Sequence, residues 1–459
     1  MESPFNIALS KGLDIPISGK PEQKVWAANA ITEVALLGQD YVGLKPSMAV
    51  RVGDKVAAGD LLFTDKKNPG VRFTAPAAGI ITAIHRGPRR RFESLVIQLQ
   101  GEEQRSFLQE EELFSPVRSS QLPDADTIKN VLLESGQWTA LRKRPYGKIP
   151  SPEASPSSLF ITAMDTEPLA PDPAIIIHEY PEAFQLGLQV LQSLAPRTLL
   201  CCESGAMLPG IDLPGIEVAR FAGPHPAGLP STHIHFLDPV QANKEVWHIG
   251  YQEVIAIGQL FRTGALCSER IIALTGPAML QPRLVRTQVG ASVTELCHNE
   301  LVKNNARLIA GSVLSGHCLG ENNIHGYPGR YQQQISALPE KDGSGFLSWL
   351  QLGKDRYSSL PIFLSSFMKR KSLFPMTTAA WGGHRAILPI GTYEKVMPLN
   401  LIATALLKTL ATGNTEKAAE LGCLELVEED LALSSFVCPG KNNFGPMLRS
   451  VLTKIEEDG

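Results

Sequence analysis

Between residues 48 and 99 the chain alternates short apolar stretches with tight corners. One corner is Val52-Gly53-Asp54, and a second runs from Ala75-Pro76 to Gly79. Glycine and proline at such positions mark turns, and short alternating stretches between turns are typical of strands with one buried face. The stretch therefore predicts a small antiparallel β-sandwich near the start of the chain.

This stretch resembles the fold of biotinyl and lipoyl carrier domains. Residues 53–62 follow the pattern G-D-x-V-x-x-G-x-x-L, and residues 75–79 give the A-P-x-x-G return. In a carrier the modified lysine lies at the hairpin tip between the two halves, which is the place of residues 65–70 here. Lys66 and Lys67 lack the flanking residues of a modified lysine, so we expect an unmodified, solvated loop. A non-enzymatic lipoyl-like carrier remains an alternative function.

Composition narrows the class of protein. The 459 residues are too many for one hydrophobic core, and 43% hydrophobic with 19% charged residues is typical of a soluble globular protein. The net charge of -3 does not suggest the strongly basic domain of a nucleic-acid binder. Basic runs at residues 86–91, 142–144 and 369–371 are expected to be solvated surface. Docking to an acidic partner or to anionic lipid headgroups is the alternative.

The cellular location is predicted from the membrane spans and the secretory signal that the sequence lacks, and from its cysteines. No stretch reaches the roughly 18 consecutive apolar residues of a membrane span, and residues 1–16 lack the pattern of a secretory signal. Seven cysteines, an odd number without framework spacing, fit a reducing compartment. We therefore expect a cytoplasmic protein, free or held peripherally at a membrane.

A parallel α/β sheet is predicted in the middle of the chain, after residues 110–152, which are expected to be helical and then irregular. Residues 158–164 form a buried-strand candidate, residues 181–194 an amphipathic helix, and residues 197–202 a second strand that ends in vicinal, buried cysteines. The turn that follows the first strand, residues 164–169, contains no G-x-G-x-x-G. Dinucleotide binding of the Rossmann kind is therefore disfavoured.

The C-terminal region has the outline of an iron–sulfur protein with too few cysteines. Cys423 and Cys438 stand where cluster ligands would be expected, but a ferredoxin-type cluster needs four thiolates. Ser434 takes the place that a C-x3-C-P element gives to sulfur. The sequence predicts a scaffold of electron-transfer ancestry without a cluster of its own.

The remaining patterns complete a four-domain division. Residues 251–261 have helical spacing, residues 270–276, 283–287 and 293–296 suggest a small β-grasp unit, and helical periodicity returns at residues 399–410 and 415–421. The prediction is an α/β multidomain protein. Its domains are a lipoyl-like barrel-sandwich hybrid (1–105), a Rossmann-like parallel α/β domain (106–260), a β-grasp, SLBB-like domain (261–375) and a C-terminal helical, degenerate ferredoxin-like domain (376–459).

Three of the ten histidines, His225, His233 and His235, lie close together in the sequence. On a strand, His233 and His235 would face the same side, as metal ligands can. No Cys, Asp or Glu completes a ligand set before Asp238, so we expect hydrogen-bonded structural histidines and no metal site. The glycine turn at residues 381–385 shows no paired nucleophile and base, and no catalytic residue is predicted.

Several motifs together carry a family resemblance; they are residues 11–16, 41–43, 65–70, 163–166, 225–228, 232–236, 305–316, 396–399 and 438–443. Over essentially its full length the chain resembles the NqrA family, which belongs to the sodium-translocating NADH:ubiquinone oxidoreductases. More distantly it is similar to the RnfC protein of the Rnf complex and to the flavin-binding subunit of respiratory complex I.

The distant relatives hold flavin and nicotinamide nucleotide with a loop of the form S-G-L-x-G-x-G-G-A-G-F-P. Residues 134–145 correspond to this loop, but Trp, Leu and Arg replace the glycines that permit close approach of a phosphate. Trp138, Arg142 and Arg144 are our candidates for contact with quinone or with a partner. No cofactor-binding residue is predicted in this chain.

The resemblance implies a complex that oxidises NADH, reduces ubiquinone and exports sodium, with FAD, FMN, riboflavin and a 2Fe-2S cluster in its other subunits, B to F. For this chain it implies a peripheral subunit on the cytoplasmic side of the bacterial inner membrane that supports quinone reduction and assembly. The isolated chain is not expected to be catalytic. A flavin-dependent NADH dehydrogenase is the alternative enzyme function.

Overall fold

The computed structural model of this chain describes residues 5–109, 113, 122–240, 243–303, 305–340, 352–353, 356–367, 373–380 and 382–458. The basic run at residues 369–371 and the first residue of the glycine turn, Trp381, lie outside these described residues.

The described elements are as follows. The strands are β1 (Phe5–Ala8), β2 (Glu22–Ala27), β3 (Glu33–Leu37), β4 (Pro46–Met48), β5 (Lys55–Val56), β6 (Leu61–Asp65), β7 (Arg72–Thr74), β8 (Gly79–Arg86), β9 (Phe92–Leu99), β10 (Arg142–Arg144), β11 (Leu159–Ala163), β12 (Thr198–Glu203), β13 (Ile216–Ala222), β14 (Val246–Gly250), β15 (Glu269–Thr275), β16 (Arg283–Gln288), β17 (Ala306–Ala310), β18 (His317–Cys318) and β19 (Gln334–Pro339). The helices are α1 (Ala125–Glu134), α2 (Pro173–Glu179), α3 (Pro181–Gln192), α4 (Pro230–Leu237), α5 (Tyr251–Thr263), α6 (Val293–Leu296), α7 (Thr392–Val396), α8 (Ala403–Thr412), α9 (Thr415–Glu420), α10 (Ala432–Val437) and α11 (Phe444–Asp458).

Strands β3 to β9 form a β-sandwich from two sheets, in the orders β3-β9-β8-β5 and β4-β6-β7. Paired strands are antiparallel, and the buried rings of Phe63 and Phe73 stack with 4.5 Å between their centroids. Gly59 has a φ of 89°, and a Cβ atom there would lie 2.7 Å from the ring of Phe107, so this corner requires glycine. The predicted antiparallel sandwich is confirmed.

Six strands form the α/β sheet, in the order β1-β13-β12-β11-β14-β10. Five of them are parallel, and β10 at the edge is antiparallel to β14. Helices α3 and α5 pack closely because Gly187 and Gly258 lack side chains; added Cβ atoms would lie 2.1 and 1.8 Å from carbonyl oxygens of the facing helix. The predicted strand, helix and strand are confirmed as β11, α3 and β12, and Cys201 and Cys202 are buried in β12.

The third sheet is mixed, in the order β18-β17-β19-β15-β16-β2. Strand β15 is antiparallel to β16 and parallel to β19, and Ile272, Val285 and Ile335 fill the core on one face of this sheet. The strand predictions at residues 270–276 and 283–287 are confirmed as β15 and β16. Between β16 and β17 the chain forms the short helix α6.

The first two strands do not join the β-sandwich, although they fall within the predicted first domain. Strand β1 adds a parallel strand to the α/β sheet beside β13, and β2 pairs in parallel with β16 of the mixed sheet. Residues 5–27 therefore tie the α/β sheet and the mixed sheet together.

Helices α7 to α11 form a helical unit around a separate core. Tyr393, Cys423, Cys438 and Phe444 are buried in it. The helices predicted at residues 399–410 and 415–421 are confirmed as α8 and α9, although α8 begins only at Ala403. Within the described residues, no helix has both the length and the apolar content that crossing a membrane requires.

Candidate functional site

A cleft of about 890 Å³ opens at the carboxyl ends of the parallel strands of the α/β sheet. The chain runs from β11 to β12 and β13 on one side, and then returns to the other side of β11 as β14. Strands β11 and β14 therefore flank a topological switch point, which is where open α/β sheets bind ligands. We call this space the interdomain cleft.

All four regions of the molecule line the interdomain cleft. The α/β sheet supplies its floor, and the other three regions supply its walls. The lining includes Asp40 and Arg91 from the β-sandwich region, Ser312, Ser315, Arg330 and Tyr331 from the mixed-sheet region, and Glu428, Glu429 and Arg449 from the helical unit. Changes in the packing of these regions would therefore alter the cleft.

Two carboxyl groups follow β11 directly on the chain. Glu167 accepts hydrogen bonds from the hydroxyls of Ser312 at 2.6 Å and Ser315 at 2.9 Å, across the boundary with the mixed-sheet region. Burial raises the pKa of Glu167 to about 7. Burial and then the charge of Glu167 raise the pKa of Asp165 to about 8. At neutral pH Asp165 is therefore mostly protonated, and Glu167 is divided between its protonated and ionised forms.

Two hydroxyl groups at the same strand ends lack partners. Thr162, near the end of β11, is 8% exposed, and Tyr251, directly after β14, is 2% exposed. Neither Thr162 Oγ1 nor Tyr251 Oη has a hydrogen-bond partner among the described residues. Buried hydroxyls are usually bonded, so these two can donate to a water molecule or to a ligand in the cleft.

The opposite side of the cleft is a network of charged groups. Glu253, which is buried at the start of α5, accepts from Arg270 at 2.5 Å and from Arg330 at 2.8 Å. Burial alone would raise the pKa of Glu253, but the two arginines outweigh burial and lower it. Arg330 also donates to Gln137 at 2.6 Å, and its backbone N–H donates to Asp40 at 2.8 Å. This network joins the β-sandwich, α/β and mixed-sheet regions.

The three residues predicted for quinone or partner contact lie at different depths. Arg142 lines the cleft, stands 4.5 Å from the ring centroid of Tyr331 and keeps 23% of its side chain exposed. Trp138 is 1% exposed, packs edge to face on Trp247, and donates from its indole N–H to the Pro150 carbonyl. Only Arg142 of the three presents a surface to a ligand in this structure.

Arg144, the third of these residues, is fully buried and joins the α/β sheet to the helical unit. Its guanidinium donates to His248 Nε2 at 2.7 Å and to Ser231 Oγ at 3.4 and 3.3 Å, and Ser231 donates in turn to Asp430 at 2.7 Å. Burial lowers the pKa of Arg144 to about 10. Burial and then the Arg144 charge lower the pKa of His248, so its ring is neutral and accepts the bond.

The histidines near residue 230 do not lie on a strand. His233 and His235 belong to helix α4, where residues two apart point in different directions, so the shared face considered for metal ligation is wrong. His233 bonds the Ala227 carbonyl, His235 bonds Glu425 at 2.6 Å, and His225 bonds Thr166. The three rings are hydrogen-bonded parts of the structure. In the described residues, no three His, Cys, Asp or Glu side chains are arranged to hold a metal ion.

The two C-terminal cysteines differ in their surroundings. Cys438 Sγ receives hydrogen bonds from the Tyr393 hydroxyl at 3.1 Å and from the backbone and side-chain N–H groups of Asn442 at 3.4 Å. These donors outweigh burial and lower the pKa of the Cys438 thiol. Burial raises the pKa of Cys423 to about 12. Both thiols are buried in the core of the helical unit.

The sequence pattern predicted Arg142 as a site residue but did not predict the interdomain cleft. The floor residues after β11 were interpreted only as a turn without glycines. A signal was available, because polar residues that follow buried parallel strands meet at one edge of a sheet. The residues of the mixed-sheet and helical regions could not be assigned to the cleft, since the bonded pairs that bring them there are separated by 145, 148 and 199 residues along the chain.

Fold and cleft together define a multidomain α/β protein with a ligand-sized cleft between its regions, a class that many unrelated functions share. Three family descriptions match successive parts of the chain: the NqrA N-terminal barrel-sandwich hybrid domain at residues 7–100, the NqrA second alpha/beta domain at 123–266 and the NQRA C-terminal domain at 271–320.

Full-length relatives agree with these matches. Proteins named as the NqrA component of the Na(+)-translocating NADH-quinone reductase are 52% identical in Pseudomonas aeruginosa strain UCBPP-PA14, 51% in Histophilus somni strain 2336 and 51% in Pasteurella multocida strain Pm70. Each alignment covers 99% of this chain and 100% of the relative. The chain belongs to the NqrA family of Na(+)-translocating NADH-quinone reductase subunits.

Proposed function

We propose that this chain is a peripheral subunit of a Na(+)-translocating NADH-quinone reductase and that it supports ubiquinone reduction through the interdomain cleft. The observation that carries the proposal is a ligand-sized cleft, lined by Arg142, in a chain that matches NqrA proteins from end to end. Its volume of about 890 Å³ lies within the usual range for ligand sites, roughly 300–1,000 Å³.

Arg142 is the proposed contact with quinone or with a neighbouring subunit. Its guanidinium lies over the Tyr331 ring and 3.8 Å from Glu429, so it is held in place while keeping an exposed edge. A guanidinium can donate hydrogen bonds to a carbonyl oxygen and stack on a ring at the same time. Arg144 holds the wall behind it, and Trp138 acts through packing.

The redox groups of the complex, FAD, FMN, riboflavin and a 2Fe-2S cluster, are assigned to subunits B to F. The segment that corresponds to the glycine loop of flavin-binding relatives supports this assignment. Its residues Gln137, Trp138, Thr139 and Ala140 form a buried turn, whose side chains occupy the space around the backbone that a flavin loop leaves open. The subunit would dock on the cytoplasmic side of the membrane.

The finer fold assignments belong to the same proposal. We assign residues 1–105 to a lipoyl-like domain whose strands β1 and β2 pair with the two neighbouring sheets. We assign 106–260 to a Rossmann-like domain, 261–375 to a β-grasp, SLBB-like domain and 376–459 to a helical, degenerate ferredoxin-like domain. The parallel order around β11 supports the second assignment, and the helix α6 beside a mixed sheet supports the third.

Replacement of Arg142 in the assembled complex tests the proposal. Arg142→Ala should raise the KM for ubiquinone roughly ten- to a hundredfold, since a charged hydrogen bond contributes ~1.5–3 kcal/mol. Lys408→Ala, at an exposed position of α8, is the matched control and should leave the KM unchanged. An Arg142→Ala complex that retains all of its subunits and normal quinone kinetics would refute the assignment of quinone to this cleft.

A further inference from the structure

The two unpartnered hydroxyls and the two carboxyl groups of the interdomain cleft share one property. Thr162 Oγ1 and Tyr251 Oη are free to donate, and neither Asp165 nor Glu167 forms an ion pair among the described residues. All four residues line the same cleft. A ligand at the floor would therefore meet a set of proton and hydrogen-bond donors.

Quinone chemistry needs such a set. Reduction of a quinone to a quinol takes two electrons and two protons, so that NADH, one proton from solvent and quinone become NAD⁺ and quinol. NADH supplies the electrons through the complex, and each quinone oxygen must gain one proton. A general acid near the oxygen can speed such a step by about 10²–10⁴.

We propose that Asp165 is the proton donor to quinone in the interdomain cleft and that the Tyr251 hydroxyl positions the quinone oxygen. This inference rests on the proposed function above. The carboxyl O–H bond of Asp165 breaks as the new O–H bond of the quinol forms. The carboxylate left behind regains its proton from solvent through the open mouth of the cleft.

The surroundings of Asp165 suit this role. Tyr251 is close enough for the Asp165 charge to raise its pKa, after the larger effect of burial. The carboxylates that face Asp165 are Glu167 on its own segment and Glu429 from the helical unit, and both favour its protonated form. Burial and these charges raise the pKa of Asp165 to about 8, so the group carries a proton at neutral pH.

Glu167 is a poorer candidate for direct transfer. Its two oxygens accept hydrogen bonds from Ser312 and Ser315, and these bonds fix it across the region boundary. Asp165 accepts only the backbone N–H of Glu167, at 2.8 Å, among the described residues. Its charge raises the pKa of Asp165. We therefore assign Glu167 to tuning and positioning of Asp165.

The test compares two electron acceptors in the complete complex. Asp165→Asn should lower quinone turnover about 100-fold and remove its fall toward high pH, while reduction of ferricyanide, which takes up no proton, stays unchanged. Asp165→Glu, which keeps a carboxyl group, should restore part of the turnover. Asp212→Asn, at an exposed position, should have no effect on either acceptor.

Tyr251→Phe provides a second, independent test, because it removes only an unpartnered hydroxyl and keeps the ring. It should raise the KM for quinone several-fold with a smaller effect on kcat. Unchanged quinone kinetics and an unchanged pH profile in Asp165→Asn would overturn the inference. Equal loss of quinone and ferricyanide reduction would also overturn it, because the residue would then serve assembly.

The proposal that quinone binds in the cleft and the proposal that Asp165 is the proton donor can be refuted independently. If Arg142→Ala raises the KM for quinone while Asp165→Asn keeps normal turnover, quinone uses the cleft and another group supplies the proton. If Arg142→Ala, Tyr251→Phe and Asp165→Asn all leave quinone kinetics unchanged in fully assembled complexes, the cleft is not the quinone site.

Discussion

Glu253 and Asp165 are two carboxyl groups of the same cleft in opposite electrostatic states. Glu253 is held between Arg270 and Arg330, and these charges keep its pKa low in spite of burial. Asp165 has no ion-pair partner in the described part of the chain, and burial raises its pKa to about 8. The side around Glu253 is thus held by ion pairs, although burial raises the pKa of its Asp40 to about 7. The side around Asp165 has carboxyl groups without ion pairs, which can exchange protons and bind ligand.

The largest expected effect is the loss of stability that follows when the ion network around Glu253 is broken. Glu253→Ala leaves two buried guanidinium groups without their carboxylate, and removing one partner from a buried ion network costs ~3–5 kcal/mol. Urea unfolding of the isolated chain measures this loss of stability.

Glu182→Ala is the matched control, because its pair with Arg262 is at the surface and such pairs contribute only ~0–1 kcal/mol. Equal losses in the two variants would show that the Glu253 network does not hold the regions together.

The protonation of Asp165 should make the stability of the folded chain depend on pH. The pKa of Asp165 rises from its ordinary 3.8 to about 8 on folding, so the folded chain binds this proton more tightly than the unfolded chain. The stability from this group is full below pH ~4, declines as pH rises, and is lost above pH ~8. Asp165→Asn should flatten this decline in urea unfolding measured across that range.

Glu253 should change stability with pH in the opposite direction. Its pKa is lowered on folding, so its contribution is present above its ordinary pKa and is lost as pH falls. The buried His225, whose pKa burial lowers to about 4, also destabilises the fold in acid. The assignment of a raised pKa to Asp165 would be contradicted if the stability of the wild-type chain rose steadily from pH ~6 to pH ~9 and the slope of stability against pH were the same in Asp165→Asn.

An intermediate loss of stability is expected when the link between Arg144 and the helical unit is broken, because this link passes through the single hydroxyl of Ser231. Ser231→Ala removes the acceptor of Arg144 and the donor to Asp430, and an unsatisfied buried polar group costs ~1–3 kcal/mol. Hydrogen exchange should show the larger loss of protection in residues 427–431, which include the Asp430 that Ser231 bonds. Uniform loss across the β-sandwich region would contradict a local role.

The smallest effects are expected at the two C-terminal cysteines, and they should differ from each other. Cys438→Ser keeps an acceptor for Tyr393 and Asn442 and should cost under ~1.5 kcal/mol. Cys423→Ser places a hydroxyl in an apolar site and should cost ~1–3 kcal/mol. Thermal unfolding measures the difference, and loss of visible absorbance in either variant would reveal a redox centre that we do not predict.

Much of the fold was predictable because its signals are local. The glycine corners at 53 and 59, the buried runs at β11 and β12, and the amphipathic helix α3 each follow from neighbouring residues. The pairing of β1 with β13 and of β2 with β16 could not be predicted, because short strands carry no information on which distant sheet edge they join.

The candidate site was predictable only in part. Arg142 was found because it stands in a segment that differs from a known loop. Asp165, Thr162 and Tyr251 converge only through the crossover that places β14 beside β11. The strand geometry considered for His233 and His235 does not occur, because a short segment with Pro230 at its start forms a helix, where proline suits the first turn.

Infrared spectroscopy of carboxyl groups tests the contrast between Asp165 and Glu253 most directly. At neutral pH, the difference spectrum of wild type minus Asp165→Asn should contain the C=O band of a protonated carboxyl group, and this band should disappear as pH rises through about 8. The difference spectrum of wild type minus Glu253→Gln should show carboxylate bands and the amide bands of the new glutamine, without the C=O band of a protonated carboxyl group. A carboxylate signal from Asp165 at neutral pH would contradict the proton-exchanging side of the cleft.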